Sequence, residues 1–355
     1  MSQPVTTQPV RVRPHFSEAI WGGRRLADRF VKSLPEGLTI GESWEIFGKN
    51  LIENGPDAGR TLDELARQDP PGILGSRPLQ NRDSTDQFPL LIKLIDACQP
   101  LSVQVHPDDI LAYVEEAGSL GKTEAWHILE SVDDSPLIYG LRDGVDRQRI
   151  AASVAAGTLH QDLSYLVTRP GDTVYVPAGT VHAIPAGTIL YEVQQRSEVT
   201  YRLYDWGRVG TDGRPRQLHV AKALHAIRFP QPTPRVNPAL TIAEPAGRRI
   251  FLAACRYFLL EALEGTIAVP ADPTTFSALS VVAGTARLQA GGADENLQLG
   301  ESVVLPARFG AYQISVEPGG RILRARVPDL VTDVIAPLRA AGYAESEISL
   351  LGEVL

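Results

Sequence analysis

Short runs rich in Val, Ile, Leu, Tyr and Thr, each bounded by Gly, Pro or Asp, recur along this chain and constrain its fold more than any other feature. They include LLIKLID (90–96), LSVQVH (101–106), AWHILES (125–131), TVYVPA (173–178), TILYEVQQ (188–195) and TYRLYDW (200–206). Branched and aromatic side chains suit a pleated, half-buried surface, and the punctuating residues supply turns. Regular spacing of such runs predicts a mainly β chain built as a sandwich or barrel. Helical patterns interrupt it at TLDELARQ (61–68), at PDDILAYVEEAG (107–118), with Pro and two acids opening its first turn, and at DRQRIAASVAAG (146–157).

With 355 residues, the chain exceeds the roughly 100 to 200 expected of one domain. The segment FPQPTPRVNPA holds Pro230, Pro232, Pro234 and Pro238, a composition that suits a semi-rigid connector. The boundary is therefore set there: a catalytic domain over 1–228, a connector over 229–238, a second β domain over 239–327 and a helical tail over 328–355. The second domain carries FLLEAL (258–263), ALSVVAGTARLQA (278–290), ESVVLPA (301–307) and AYQISVE (311–317). Gly171 with Pro177, and Gly300 with Pro306, repeat one pattern at a strand end, which suggests duplicated jelly rolls. Only the first copy continues to a histidine, His182.

A formal charge of −8 argues against a nucleic acid or an anionic membrane as partner. Any phosphorylated substrate then needs locally clustered cations. Cys98 and Cys255 are far apart and neither sits in a CxxC, so a metal must use His, carboxylate or amide ligands. No stretch approaches the roughly 18 apolar residues that span a bilayer, and the first residues lack the apolar segment of a leader, so a cytoplasmic enzyme is expected.

Strand alternation in LSVQVH sends Leu101, Val103 and Val105 to one face and Ser102, Gln104 and His106 to the other. Standing alone, that pattern reads equally as an amphipathic edge strand. GKTEAWHIL places Lys122 and Glu124 on one face if its strand starts near Gly121, and His182 follows a tight Pro-Ala-Gly turn. Two histidines, a carboxylate and an amide oxygen suit zinc, and also iron, manganese or nickel. Glu192 and Gln194 share a strand face, as do Thr200, Arg202 and Tyr204, although Glu192 and Arg202 could equally form a surface ion pair. Lys93 is the sole charge in an apolar run, so it either snorkels outward or meets an anion.

These motifs closely resemble the type I mannose-6-phosphate isomerases, in the short bacterial form of that cupin-fold family. The likeness runs from about Pro14 to Arg208 through IWGGRRL (20–26), GESWEI (41–46), FPLLIKLIDACQPLSVQVHPDD (88–109), GKTEAWHIL (121–129), GDTVYVPAGTVHAIPAGTILYEVQQ (171–195) and TYRLYDWGR (200–208). It implies two cupin-like jelly rolls, the second degenerate, with helical insertions in the first. It also implies one zinc per chain on Gln104, His106, Glu124 and His182, phosphate contacts at Lys93 and Ser102, and active-site polar groups at Lys122, Glu192 and Arg202. The implied reaction interconverts mannose 6-phosphate and fructose 6-phosphate through an enediol. Departures from the family pattern fall at Ile46–Asn50, at His127 and at Arg196–Thr200, and they bear on substrate preference more than on reaction type.

Glu192 has the acid-base chemistry expected of the general base, whereas Lys122 would first have to give up its charge. A cupin dioxygenase on a two-histidine, one-carboxylate metal is the rival enzyme reading, and a sugar-binding regulatory cupin the non-enzyme one. The lysine and arginine set beside the ligands favours a phosphosugar.

Overall fold

The computed structural model describes residues 8–80, 87–132, 135–210 and 213–355, so the first seven residues, read above for a leader, lie outside it. The described chain is mainly β and arranged in three antiparallel sheets. The first is six-stranded, in the order His15–Gly23, Ile40–Ile46, Leu90–Ala97, Thr188–Gln195, Glu124–Glu130 and Thr173–Val176. The second is five-stranded, in the order Tyr201–Tyr204, Val103–Val105, His182–Ala183, Leu137–Leu141 and Leu163–Leu166. The third has ten strands, nine of them from Leu240–Glu244 to Arg321–Arg326 and the tenth Val10–Arg11, which pairs onto Ser302–Leu305. The N-terminal segment thus joins the sheet built by the far end of the chain.

Burial explains why LLIKLIDA and TILYEVQQ read as near-continuous apolar runs, for every residue of both strands is buried. Ile92, Leu94, Tyr191 and Val193 pack with Leu260, Ala262 and Leu323 of the ten-stranded sheet in one core. Alternate residues Ile95 and Leu190 join Trp126, Val174 and Ile184 in a second core on the opposite face. A sheet covered on both faces needs apolar residues on both, and any polar residue there must find a buried partner.

The predicted helices form as Leu62–Gln68, Asp109–Glu115 and Arg147–Ala155. Thr61 and Glu64 make a reciprocal capping box on the first. Of the two acids that open the second, Asp108 caps it by accepting from Leu111 N at 2.9 Å, while Asp109 lies in its first turn. The run 278–290 is two strands, Ser277–Ala283 and Ala286–Ala290, turning at Gly284 with φ +65°. The tail folds into short helices that pack Val334, Leu338, Ile348 and Leu351 against Leu240 and Phe251. Inside the third sheet, Glu261 is buried against Arg324 at 2.6 Å, with Arg326 at 3.5 Å. An ion cluster thus occupies the second β region, and its Pro306–Gly310 turn leads to Ala311 where the first copy has His182.

Candidate metal centre and active site

The five- and six-stranded sheets face each other, and the polar residues of interest project from both. His182 lies opposite Gln104 in the five-stranded sheet, and Gln104 lies opposite Arg202. In the six-stranded sheet Glu192 lies between Lys93 and Trp126, and Glu124 lies opposite Gln194. Register alone therefore brings together residues scattered over more than a hundred positions of sequence.

His106, Glu124 and His182 are buried, and their potential ligand atoms lie within 4.8 Å of one another. His182 Nε2 is 3.4 Å from Glu124 Oε1, and His106 Nε2 is 3.7 Å from Glu124 Oε2. Each ring spends Nδ1 on a backbone carbonyl, Val199 O at 2.8 Å for His106 and Thr180 O at 2.9 Å for His182. Those bonds select the tautomer whose Nε2 lone pair faces the carboxylate, the arrangement that orients histidine ligands in metal sites. Burial holds His182 down at about 4 and, with the Lys122 charge, holds His106 well below its usual value, so both rings are neutral near pH 7.

His106 Nε2 and Glu124 Oε1 are buried without a hydrogen-bond partner, while Glu124 Oε2 faces the Lys122 ammonium at 3.0 Å. Unpartnered groups cost about 1–3 kcal/mol each when nothing satisfies them, and a divalent cation satisfies both at once. Two imidazoles and a carboxylate fit zinc and its neighbours. Gln104 Nε2 lies 3.2 Å from His182 Nε2 and Ser102 Oγ donates to Gln104 Oε1 at 3.2 Å, so turning the amide over would present its oxygen to the same point.

The lysine in the apolar run meets anions: Lys93 Nζ lies 3.1 Å from Glu192 Oε1 and 3.2 Å from Glu42 Oε2. Lys122 Nζ is 3.0 Å from Glu124 Oε2 and 3.7 Å from Glu192 Oε1. Burial would raise Glu192, but Lys122, Lys93 and the Trp126 indole, which donates at 3.1 Å, outweigh it and hold the carboxylate below its usual range. Burial also raises Glu124, and the neighbouring Glu192 adds to the rise, against the pull of Lys122.

Arg202 is paired with no carboxylate among the described residues, and its Nε is buried without a partner. The Glu192–Arg202 ion pair open from sequence therefore does not form. Burial alternates along Tyr201–Tyr204, with Tyr201 and Leu203 in the core beside Val103 and Val105 and Arg202 and Tyr204 outside it, although the register with the Val103–Val105 strand shifts between Arg202 and Tyr204. Lys122 also precedes its strand, which starts at Glu124, and still reaches the site from the loop.

Glu42, Trp44, Trp126 and Gln194 join these residues without having been singled out as site residues. Trp44 donates to Glu42 at 2.6 Å and its ring lies 5.5 Å below Lys93 Nζ. The i, i+2 spacing of Glu42 and Trp44 in GESWEI was the available signal. A separate cleft of about 1000 Å3 is lined by Arg29, His127, Glu130, Glu264 and Arg321. Its charges pair with one another, Arg29 with Glu130 at 2.9 Å and Arg321 with Glu264 at 2.6 Å, and it gathers no set of metal-type ligands among the described residues.

The family described as phosphomannose isomerase type I, catalytic domain, matches residues 10–120. The mannose-6-phosphate isomerase ManA of Bacillus subtilis strain 168 is 35% identical over 323 residues, covering 87% of this chain and 96% of the relative. The mannose-6-phosphate isomerase of Streptococcus mutans is 32% identical over 311 residues, covering 86% and 95%. The crystal structure of a mannose 6-phosphate isomerase from Bacillus subtilis superposes with a TM-score of 0.80 at 32% identity, covering 89% of this chain and 99% of that one. A phosphomannose isomerase from Salmonella typhimurium, at 15% identity and a TM-score of 0.70, shares the fold. Similarity that runs nearly end to end through relatives and solved structures alike places this chain in the type I mannose-6-phosphate isomerase family.

Proposed function

We propose that the chain interconverts mannose 6-phosphate and fructose 6-phosphate through an enediol, at a centre held by Gln104, His106, Glu124 and His182. The observation that carries this reading is the adjacency of a buried two-histidine, one-carboxylate cluster, in which His106 Nε2 and Glu124 Oε1 have no hydrogen-bond partner, to a buried Lys93–Glu192–Lys122 chain. A divalent ion there, zinc in this proposal, supplies Lewis acidity toward the sugar's C1 and C2 oxygens. Moving a proton between those carbons also needs a base and an anchor for the phosphate.

Glu192 is the proposed base. In the resting pocket two lysines keep it ionised and weakly basic, so its basicity rises only when those charges turn toward the substrate's oxygens. A second reading gives the proton transfer to Lys122, whose Nζ lies 3.7 Å from Glu192 Oε1 in the same pocket. Ser102 and Arg202 are the proposed phosphate anchors. Arg202 forms no ion pair with a carboxylate among the described residues, whereas the charge of Lys93 is already matched by Glu42 and Glu192.

The test is turnover of mannose 6-phosphate with elemental analysis of the same sample. Wild-type protein is expected to turn over with one divalent ion per chain, and His182→Ala to lose both ion and turnover. Stoichiometric metal retained by His182→Ala would refute the ligand assignment. Absence of turnover by metal-loaded wild type would refute the reaction.

A further inference from the structure

The hairpin between the Ala246–Ala254 and Leu259–Val269 strands of the third sheet closes with Cys255 N donating to Phe258 O at 2.9 Å. Cys255 and Phe258 are fully buried in the core shared with the six-stranded sheet, which leaves Arg256 and Tyr257 directed at Asp109. Arg256 Nη2 donates to Asp109 Oδ2 at 2.8 Å, and the Tyr257 hydroxyl donates to the same oxygen. The other oxygen, Asp109 Oδ1, accepts from Gly121 N at 2.9 Å and from Gln195 Nε2 at 2.8 Å. Gln195 Oε1 in turn accepts from Thr123 N at 2.8 Å.

Gly121 and Thr123 flank Lys122, and Glu124 follows. Both backbone amides beside Lys122 are therefore tied to Asp109, one directly and one through Gln195. Gly121 also packs so closely that a Cβ there would lie 2.5 Å from Asp109 N. Three of the four bonds on Asp109 are intramolecular to the first β region or come from a half-buried hydroxyl, where a hydrogen bond retains its value. The fourth comes from Arg256, which is 63% exposed and adds little.

We propose that Tyr257, assisted by Arg256, is a positioning residue for the proton-transfer step. Through Asp109 it holds the Gly121–Glu124 segment so that Lys122 and Glu124 face Glu192, and in this way the second β region takes part in the chemistry. The inference rests on the proposed function for what the positioned residues do, and on the geometry alone for the strap itself.

The experiment compares wild type, Tyr257→Phe, the Tyr257→Phe/Arg256→Gln double variant, and each in an Asp109→Asn background. It reads hydrogen exchange over residues 121–124 in metal-free protein, and kcat per bound metal and KM on mannose 6-phosphate. The double variant is expected to speed exchange in that segment severalfold and to lower kcat per metal about tenfold with KM within about twofold, since misplacement of a catalytic group falls mainly on turnover. Arg256→Lys combined with the native tyrosine should keep most of the wild-type kcat. In the Asp109→Asn background the further loss should vanish, because the two changes cut one path. Wild-type exchange in the double variant, or losses that multiply independently of Asp109, would overturn the proposal. An inactive wild type would instead overturn the assigned reaction, and the exchange measurement would still decide the strap.

Discussion

At the scale of the residue, one carboxylate sorts the possible chemistries. Glu192 accepts from Trp126, pairs with Lys93 and lies 3.7 Å from Lys122, so replacing it with Gln keeps size and one acceptor while removing the charge both lysines answer. Metal content should be unchanged, because no ligand is touched. Turnover and solvent-deuterium exchange into the sugar should both fall by about 10² to 10⁴, the usual contribution of a positioned general base. Exchange continuing at the wild-type rate would move the base to Lys122. Sequence alternation located Glu192, but not its partners, since Glu42 and Trp126 come from other strands.

At the scale of the element, the turn between Val176 and His182 shows why short motifs carry so much. Gly179 has φ +87°, its N–H donates to His106 O at 2.8 Å, and its carbonyl accepts from Arg228 N at 3.1 Å. A Cβ at this position would come within 2.5 Å of Arg228 Cγ. Gly179→Ala should therefore destabilise the fold by about 1–2 kcal/mol from the left-handed backbone alone. Because the same turn ties the backbone of His106 to the approach to His182, metal affinity should fall as well. Thermal melts with and without added zinc check both effects, and a variant with unchanged affinity would mean that the turn does not set the ligand geometry. The turn was legible in sequence as Pro-Ala-Gly before His182. Its clamp by Arg228 was not, since that residue is forty-nine positions beyond Gly179.

At the scale of the whole molecule, the six-stranded sheet is shared property. Its outer face and the ten-stranded sheet form one core, in which the Phe88 and Phe276 rings meet at a 48° tilt with centroids 4.5 Å apart across the two β regions. Phe276→Ala should cost about 3–5 kcal/mol, the usual loss for emptying a buried phenyl site. Since the core belongs to both regions, calorimetry should still show one transition at a lower temperature. Two resolved transitions, with only the later residues melting early, would show that the regions fold independently and that the shared core does not couple them.

Periodicity and punctuation were sufficient to establish that this chain is mainly β, because side-chain alternation and turn chemistry are local properties. The ordered motifs were sufficient to point to the proposed ligands, because Gln104, His106 and Glu124 lie in short motifs and His182 follows a recognisable turn. The strands Leu137–Leu141, Ala246–Ala254 and Arg321–Arg326 escaped notice, the first being short and interrupted by Gly140 and the other two interrupted by charge. What tertiary structure alone decided is which charges are answered. Lys93 could have faced water or a ligand by its sequence, and pairing of its strand with those of Glu42 and Glu192 gave it two carboxylates. Arg202 could have answered Glu192, and the sheet placed it beside Gln104, where no carboxylate among the described residues forms an ion pair with it. Asp109 is the first-turn helix acid its sequence suggested, and only the tertiary structure closes a hairpin about 150 residues away on it as well. Pairing across strands depends on register and on long-range packing, and neither is encoded within any single stretch of the chain.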